Sequence, residues 1–299
     1  MDFEQLTTFL EVAKQGNFSR AGEVVFRSQP AVSAQIRQLE QEYGEKLFDR
    51  AGKTIRLTPA GEVLAGYAQR MLQIRAESLH AVAGQGDTIQ GVLSIGANEA
   101  TFLYVLPELF AQYHRLHPQV QISVYRSFSH KVIQKVEDGV IDMGVVTLPV
   151  KASSLKVIKI FRDQMMLAVH PDNPLAAFPS VSMTQVAEQP LILPKTGSMR
   201  TLIEKQLRPF GRKVRITMEL TSVVMIKKFV AAGFGVSLIS ASFAGDEVRE
   251  GKIKLIALDG VELWRELGLV YRRDRSLPTS AAALIELVRA SRKARKSDE

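Results

Sequence analysis

Cysteine is absent from all 299 residues, which removes disulfides, thiolate metal sites and cysteine nucleophiles and leaves nothing that points to an oxidising compartment. No apolar run reaches the roughly 20 residues that a membrane-spanning helix needs. The opening stretch MDFEQLTTFLEVAKQGNF is amphipathic and acidic, without the basic start and apolar run of a signal peptide, so a soluble cytoplasmic protein with no membrane partner is expected. A GxSxG elbow, an HExxH helix and an obvious carboxylate pair are also missing, and no catalytic or metal-binding residue is assigned. His114 and His117 share a helix but have no third ligand at metal spacing and read as surface residues. Gly233-Phe234-Gly235 is a fragment of a nucleotide-binding fingerprint on the wrong side of a helix.

What is present is length for more than one compact unit and a basic balance. Lys+Arg number 39 against Asp+Glu 31, a net charge of +8, which permits an anionic partner without requiring one. In residues 1–58 the two signs balance, eight basic against eight acidic, so only their distribution is informative. Phe3, Leu6, Phe9, Leu10 and Ala13 recur at helical spacing up to a turn at Gly16-Asn17. Ser19 can cap a second helix, and Ser28 a third with Pro30 in its first turn. In that third helix, within SQPAVSAQIRQLE, Val32, Ile36 and Leu39 form an apolar side. Gln29, Ser33, Arg37 and Gln38 form a polar one, with small Ala31 and Ala34 between. Short side chains that donate and accept, set among small residues, suit a DNA major groove. DRAGKTIRLTP follows, with Arg50, Lys53 and Arg56 around Gly52 and Thr54–Leu57 able to form a strand. This reads as a basic wing whose cations would fix register on phosphates. A three-helix cluster with a polar face has other uses, and the pattern alone leaves them open.

The stretch from Phe3 to Leu64, with its run SQPAVS.QI..LE...G..LF.R......LT.AG, resembles the winged helix-turn-helix of LysR-type transcriptional regulators. The resemblance implies that Gln29, Pro30 and Ser33 lie near the DNA face and that Arg37, Arg50, Thr54 and Arg56 contact the backbone; Ser28 at the helix cap and Lys53 in the wing are counted with them as DNA-binding residues. Two departures stand out. Gly22 replaces the usual alanine, a cost of about 1 kcal/mol in helix propensity, and Ala34 stands where many members carry arginine.

From Thr58, a suitable cap followed by Pro59, one long helix is expected to run to Gly84-Gln85-Gly86. Leu64, Ala68, Met71, Arg75, Leu79 and Val82 recur at alternating four and three, a coiled-coil-like seam interrupted by Arg75. The stripe could pack on the chain's own domain. The resemblance favours a linker that pairs two subunits, in which Arg75 needs a partner across the seam.

Beyond Gly91 strand and helix patterns alternate: GVLSIGA, LYVLPELFAQYHRLHP, VQISVYR, HKVIQKVEDG and IDMGVVT, then QMMLAVH, PLILP, SMRTLIEKQLRPFG, VRITMEL, VMIKKFVAAGFG and VSLIS. The alternation implies parallel sheets with helices on their faces, in two lobes with a cleft between. ELGLVYRRD and SAAALIELVRAS are expected to return to the first lobe. The signals LPELFAQYHRLHPQVQI, VEDGVIDMGVV, HPDNPLA and KKFVAAGFGVSLIS resemble LysR-type effector domains, which look like periplasmic solute-binding proteins. The expected architecture is therefore multi-domain: an all-α winged helix-turn-helix over 1–58, a linker helix over 59–88, and a two-lobed α/β effector-binding domain over 91–299. Lobe I would take about 91–162 plus 267–290, and lobe II about 163–266.

In that pattern the strand-to-helix turns line the pocket, which singles out Asn98, Thr101, Ser129, Thr147, Thr196 and Ser198 as hydrogen-bonding residues. Hydroxyls and amides at helix N-termini suit a small anion, although each is also an ordinary cap or turn residue. Glu99 would repel one if it points inward, which leaves a neutral or cationic effector open. The terminal RKARK (292–296) reads as a solvated, disordered end. The expected function is sequence-specific DNA binding and transcription regulation, modulated by a small-molecule effector and needing no cofactor. The resemblance implies double-stranded DNA as partner, a homodimer and usually a tetramer built from two dimers, and leaves RNA polymerase open as a further partner. A solute-binding type of protein with degraded DNA specificity is the alternative, resting on Gly22 and Ala34.

Overall fold

The computed structural model of the chain describes residues 1–49, 55–82 and 89–297. The first helix, α1 (Phe3–Gln15), opens on a reciprocal cap between Asp2 and Gln5 and ends at Gly16. Helix α2 (Phe18–Val24) is capped by Asn17, whose side chain accepts from the N–H groups of Ser19 and Arg20. Asn17, rather than Ser19, therefore starts the helix, because its carboxamide oxygen reaches two free N–H groups at once. Ser28 caps α3 (Gln29–Tyr43) through the Ala31 N–H. Strands β1 (Phe48–Asp49) and β2 (Arg56–Leu57) pair antiparallel, Asp49 facing Arg56. The wing tip, with Arg50, Lys53 and Thr54, lies outside the described residues.

Thr58 both caps α4 (Pro59–Val82), accepting from the Gly61 N–H, and donates to the Lys46 carbonyl. The expected stop at Gly84-Gln85-Gly86 falls outside the described residues. Leu64 and Ala68 are buried with Leu6, Phe9, Val12, Ile36 and Leu39 in the N-terminal core, and Met71 packs against its edge. Leu64 and Ala68 are thus spent on the chain's own helices instead of an intersubunit seam, since α1 already covers that part of the stripe. Arg75 stacks on the Phe3 ring, 5.1 Å from its centroid, and so finds its partner within the chain. Of the apolar residues in the expected seam, Leu79 is left open to solvent, and the Val82 side chain lies outside the described residues.

The remaining chain forms two lobes. It runs β3 (Gly91–Ala97), α5 (Glu99–Tyr104), α6 (Leu106–Leu116), β4 (Val120–Arg126), α7 (Ser129–Glu137), β5 (Met143–Thr147), β6 (Leu155–Val169), β7 (Ser180–Val181) and α8 (Met183–Ala187). There follow β8 (Pro190–Pro194), α9 (Ser198–Leu207), β9 (Arg215–Leu220), α10 (Val223–Ala231), β10 (Ser237–Ser240), α11 (Gly245–Arg249), β11 (Lys254–Leu258), β12 (Trp264–Arg272) and α12 (Thr279–Ser297). The backbone stays helical to Ser297, so RKARK continues α12 instead of ending in disorder.

The sheet order is β4-β3-β5-β12-β6-β11-β7, with β10 also on β6. β3 pairs parallel with β4 and β5, whereas β12 runs antiparallel to β5 and β6, and β10 and β11 antiparallel to β6. The sheet is therefore mixed instead of parallel. β6 spans both lobes: Leu155–Gln164 pair with β12, and Met165–Val169 with β10 and β11. Its first half carries Lys156, Lys159 and Arg162, charges that suit an unpaired edge. Separate apolar cores lie in the two lobes, one around Leu93, Ile95, Leu269 and Leu284, the other around Leu167, Leu191, Ile203 and Leu238.

Gly22 has a positive structural role. A Cβ there would lie 2.5 Å from the Arg27 carbonyl oxygen, in a turn closed by the Arg27 N–H donating to the Gly22 carbonyl at 2.8 Å. Alanine would gain about 1 kcal/mol of helix propensity, but forcing the turn apart costs about 1–3 kcal/mol. Gly22→Ala should therefore lower the thermal midpoint, and a higher midpoint would show that the turn yields freely.

Candidate functional site

The exposed side of α3 is ordered by its own hydrogen bonds. The Gln29 amide donates to the Ser33 hydroxyl at 2.9 Å, and the Arg37 Nε donates to the Ser33 carbonyl at 3.3 Å. Accepting from Gln29 leaves the Ser33 hydroxyl free to donate, while the Gln29 carbonyl remains an acceptor, so this pair offers both functions to a base edge. Pro30 and Ala34 are exposed beside them and allow close approach. Ser28 is engaged as the cap. Gln38 does not join this face: it accepts from the Gln5 amide at 2.8 Å, because nine residues along a helix bring it round toward α1. Arg56 is exposed on β2. Glu40, buried under the helix, accepts from the Leu47 N–H at 3.1 Å and from Lys46 at 3.0 Å, which ties α3 to the root of the wing.

A second site lies between the lobes, a cavity of about 760 Å³. The N-terminal turns of α5, α7, α9 and α10 border it together with the ends of β4, β5, β8, β9 and β10. Of the six residues expected there, Asn98, Ser129, Thr147, Thr196 and Ser198 line the wall. Thr101 does not. It is fully buried, its N–H donates to the Asn98 side chain at 2.9 Å, and its hydroxyl has no partner among the described residues. One turn into α5 from Asn98, it faces the lobe instead of the cleft. Asn98 serves at once as helix cap and wall, and Ser129 accepts from the Thr147 N–H at 3.2 Å.

Further residues line the cavity beyond those expected to bind the ligand. Glu99, expected to repel anions, accepts from Arg126 at 2.9 Å and from the Ser222 hydroxyl of the opposite lobe at 2.5 Å. Its charge is thereby compensated, and the bond spans the cleft. Arg265 sits where β12 crosses between lobes. It is 2% exposed, with Nε and Nη2 buried and unpartnered among the described residues, and its guanidinium lies 4.2 Å from the Phe243 ring centroid. Burial pushes its pKa down to about 10, against the pull of the Asp163 carboxylate. Asp163, its register partner, is occupied by the Ser242 N–H and hydroxyl. The alternation Leu263, Arg265, Leu267, Leu269, Tyr271, all buried, is the signal that exposes this residue: a cation in phase with an apolar face. A strand started at Glu266 hides it.

Comparison with known proteins covers both sites. Residues 3–62 match the family described as bacterial regulatory helix-turn-helix protein, lysR family, and residues 86–293 match the LysR substrate binding domain. A probable RuBisCO transcriptional regulator of Nostoc sp. is 28% identical over 94% of this chain and 85% of its own. A full-length OxyR variant of Pseudomonas aeruginosa is similar with a TM-score of 0.71 and 25% identity, over 97% of this chain and 98% of that one. CbnR, solved with its target DNA, shares the fold with a TM-score of 0.72 and 23% identity, over 97% of this chain and 100% of that one.

Proposed function

Because the chain belongs to the LysR-type family of DNA-binding transcriptional regulators, we propose that it reads its DNA site with the Gln29, Ser33 and Arg37 face of α3. Arg56 and the wing hold the phosphates. A small effector in the cleft between the lobes sets its activity. The observation that carries this reading is the ordered Gln29–Ser33 pair, exposed at the start of a capped helix, where a recognition helix meets base edges. Gly22 gives no support to a degraded reader, since the turn before α3 depends on it.

Reading an inverted repeat takes two copies, with half-sites about one helical turn, ~34–36 Å, apart or a multiple of it. Val63, Ile74 and Leu79 on α4 and Phe3 on α1 are apolar and exposed in the single chain, which supports pairing with a second copy. A tetramer of two such dimers and contact with RNA polymerase extend the same reading.

Purified protein incubated with sheared genomic DNA of its host should recover discrete fragments carrying inverted repeats, and uniform salt-sensitive recovery would contradict sequence-specific reading. On a recovered site, Ser33→Arg should change base preference. Arg56→Ala should weaken binding to all sequences and lower the salt slope by about one unit. An equal loss across base variants for Ser33→Arg would remove its assigned contact. Thr196→Ala and Asn98→Ala should leave DNA affinity near the parent's while blunting the effector response. A full response in both would place the ligand elsewhere.

A further inference from the structure

Resting on the cleft as the effector site, we propose that its ligand is a small organic acid, an apolar body with one carboxylate that pairs with the Arg265 guanidinium. Arg265 lines the cavity, yet its Nε and Nη2 have no partner among the described residues. Nε and Nη2 form one edge of a planar fork whose spacing matches the two oxygens of a carboxylate. Buried guanidinium N–H groups left without acceptors are costly, and the neighbouring Asp163 gives Arg265 a compensating charge but no hydrogen bond to Nε or Nη2, its carboxylate accepting from Ser242 instead. Ser240, on the same wall, also has a buried hydroxyl without a partner among those residues. Helices α7 and α9, nine and ten residues long, enter the cavity without a side-chain cap, so their first N–H groups and dipoles favour negative charge.

The charges around the cavity point the same way. Among the described residues, Arg126, Lys131 and Arg265 line it against Glu99 alone, and Glu99 is compensated by Arg126. A cationic ligand would meet a net positive wall. A polyphosphate would need several buried cations, whereas Phe128, Met199, Leu220, Val223, Leu238 and Phe243 give the wall a broad apolar area, which suits a hydrocarbon or aromatic body.

The Phe243 ring covers the guanidinium face and also packs against the Tyr104 ring of the first lobe, 5.1 Å between centroids. A carboxylate paired in the guanidinium plane lies beside the Phe243 ring, which itself packs on the other lobe. Ligand binding and lobe packing are thereby linked through one side chain.

The test uses the full-length protein, with thermal shift and calorimetric titration against aromatic and short aliphatic monocarboxylates, their neutral amides, matching amines and inorganic phosphate. Carboxylates of suitable size should raise the midpoint, and their amides and amines should not. Arg265→Met should weaken carboxylate binding by about tenfold or more while keeping or raising the ligand-free midpoint, since buried N–H groups without acceptors have been removed. A purely structural arginine would instead lower that midpoint. Equal binding of amide and carboxylate, binding of phosphate alone, or undiminished carboxylate binding by Arg265→Met would each overturn the proposal. An amide or amine whose binding Thr196→Ala abolishes would keep the cleft as the ligand site while refuting its anionic character. Silence of the whole panel would count against both.

Discussion

Helix α4 is held on two sides at once. One side buries Leu64 and Ala68 in the N-terminal core. On the other, Gly66 lies so close to lobe I that a Cβ would sit 2.8 Å from a Val140 methyl. Arg70 donates to the Gly139 and Ser276 carbonyls, both at 3.4 Å, and Glu62 pairs with Lys135 at 3.6 Å. The helical head therefore cannot shift on the lobes without breaking packing on one side of this helix. Glycine at 66 is what permits the approach, since any side chain would hold the surfaces apart.

Lys135 connects this contact to the cleft. It lies near the C-terminal end of α7, whose first residues, with Phe128 and Lys131, line the cavity. This helix of nine residues thus reaches from the cavity wall to the α4 contact. Among the described residues, the opposing lobe is joined to this assembly by two strands, β6 and β12, and by side-chain contacts such as Glu99 with Ser222 and Tyr104 with Phe243. A crossing this narrow is the kind of joint about which a ligand can shift one lobe against the other when it binds two arrangements unequally.

The helical head and the order of most elements were legible in the sequence because caps and periodicity are local. Ser28, Pro30 and Thr58 announce their helices, and GVLSIGA and VQISVYR coincide with β3 and β4. Strand direction was not legible, because alternation of strand and helix is indifferent to β12 inserting antiparallel between β5 and β6. The first half of β6 was hidden by the charges that suit its exposed edge. Partners distant in sequence were hidden too. The stripe from Leu64 to Met71 is equally suited to a second copy and to α1, and only the folded chain decides between them. Likewise, Arg265 was missed because the strand was started at Glu266, one residue past a cation in phase with the apolar face, whereas Thr101 was included because a turn residue's direction depends on the helix it enters.

If the cleft governs the reading head, its occupancy must alter DNA affinity, with α7 and α4 lying between the two sites. The most direct measurement is the affinity of the full-length protein for one of its recovered DNA sites, at fixed salt, with a cleft-binding carboxylate absent and at saturation. That affinity should change within the usual range of coupling between sites, about 5-fold to 150-fold, with the DNA altering the ligand's affinity by the same factor. Identical DNA affinity in the two states, with the ligand shown to be bound, would contradict it.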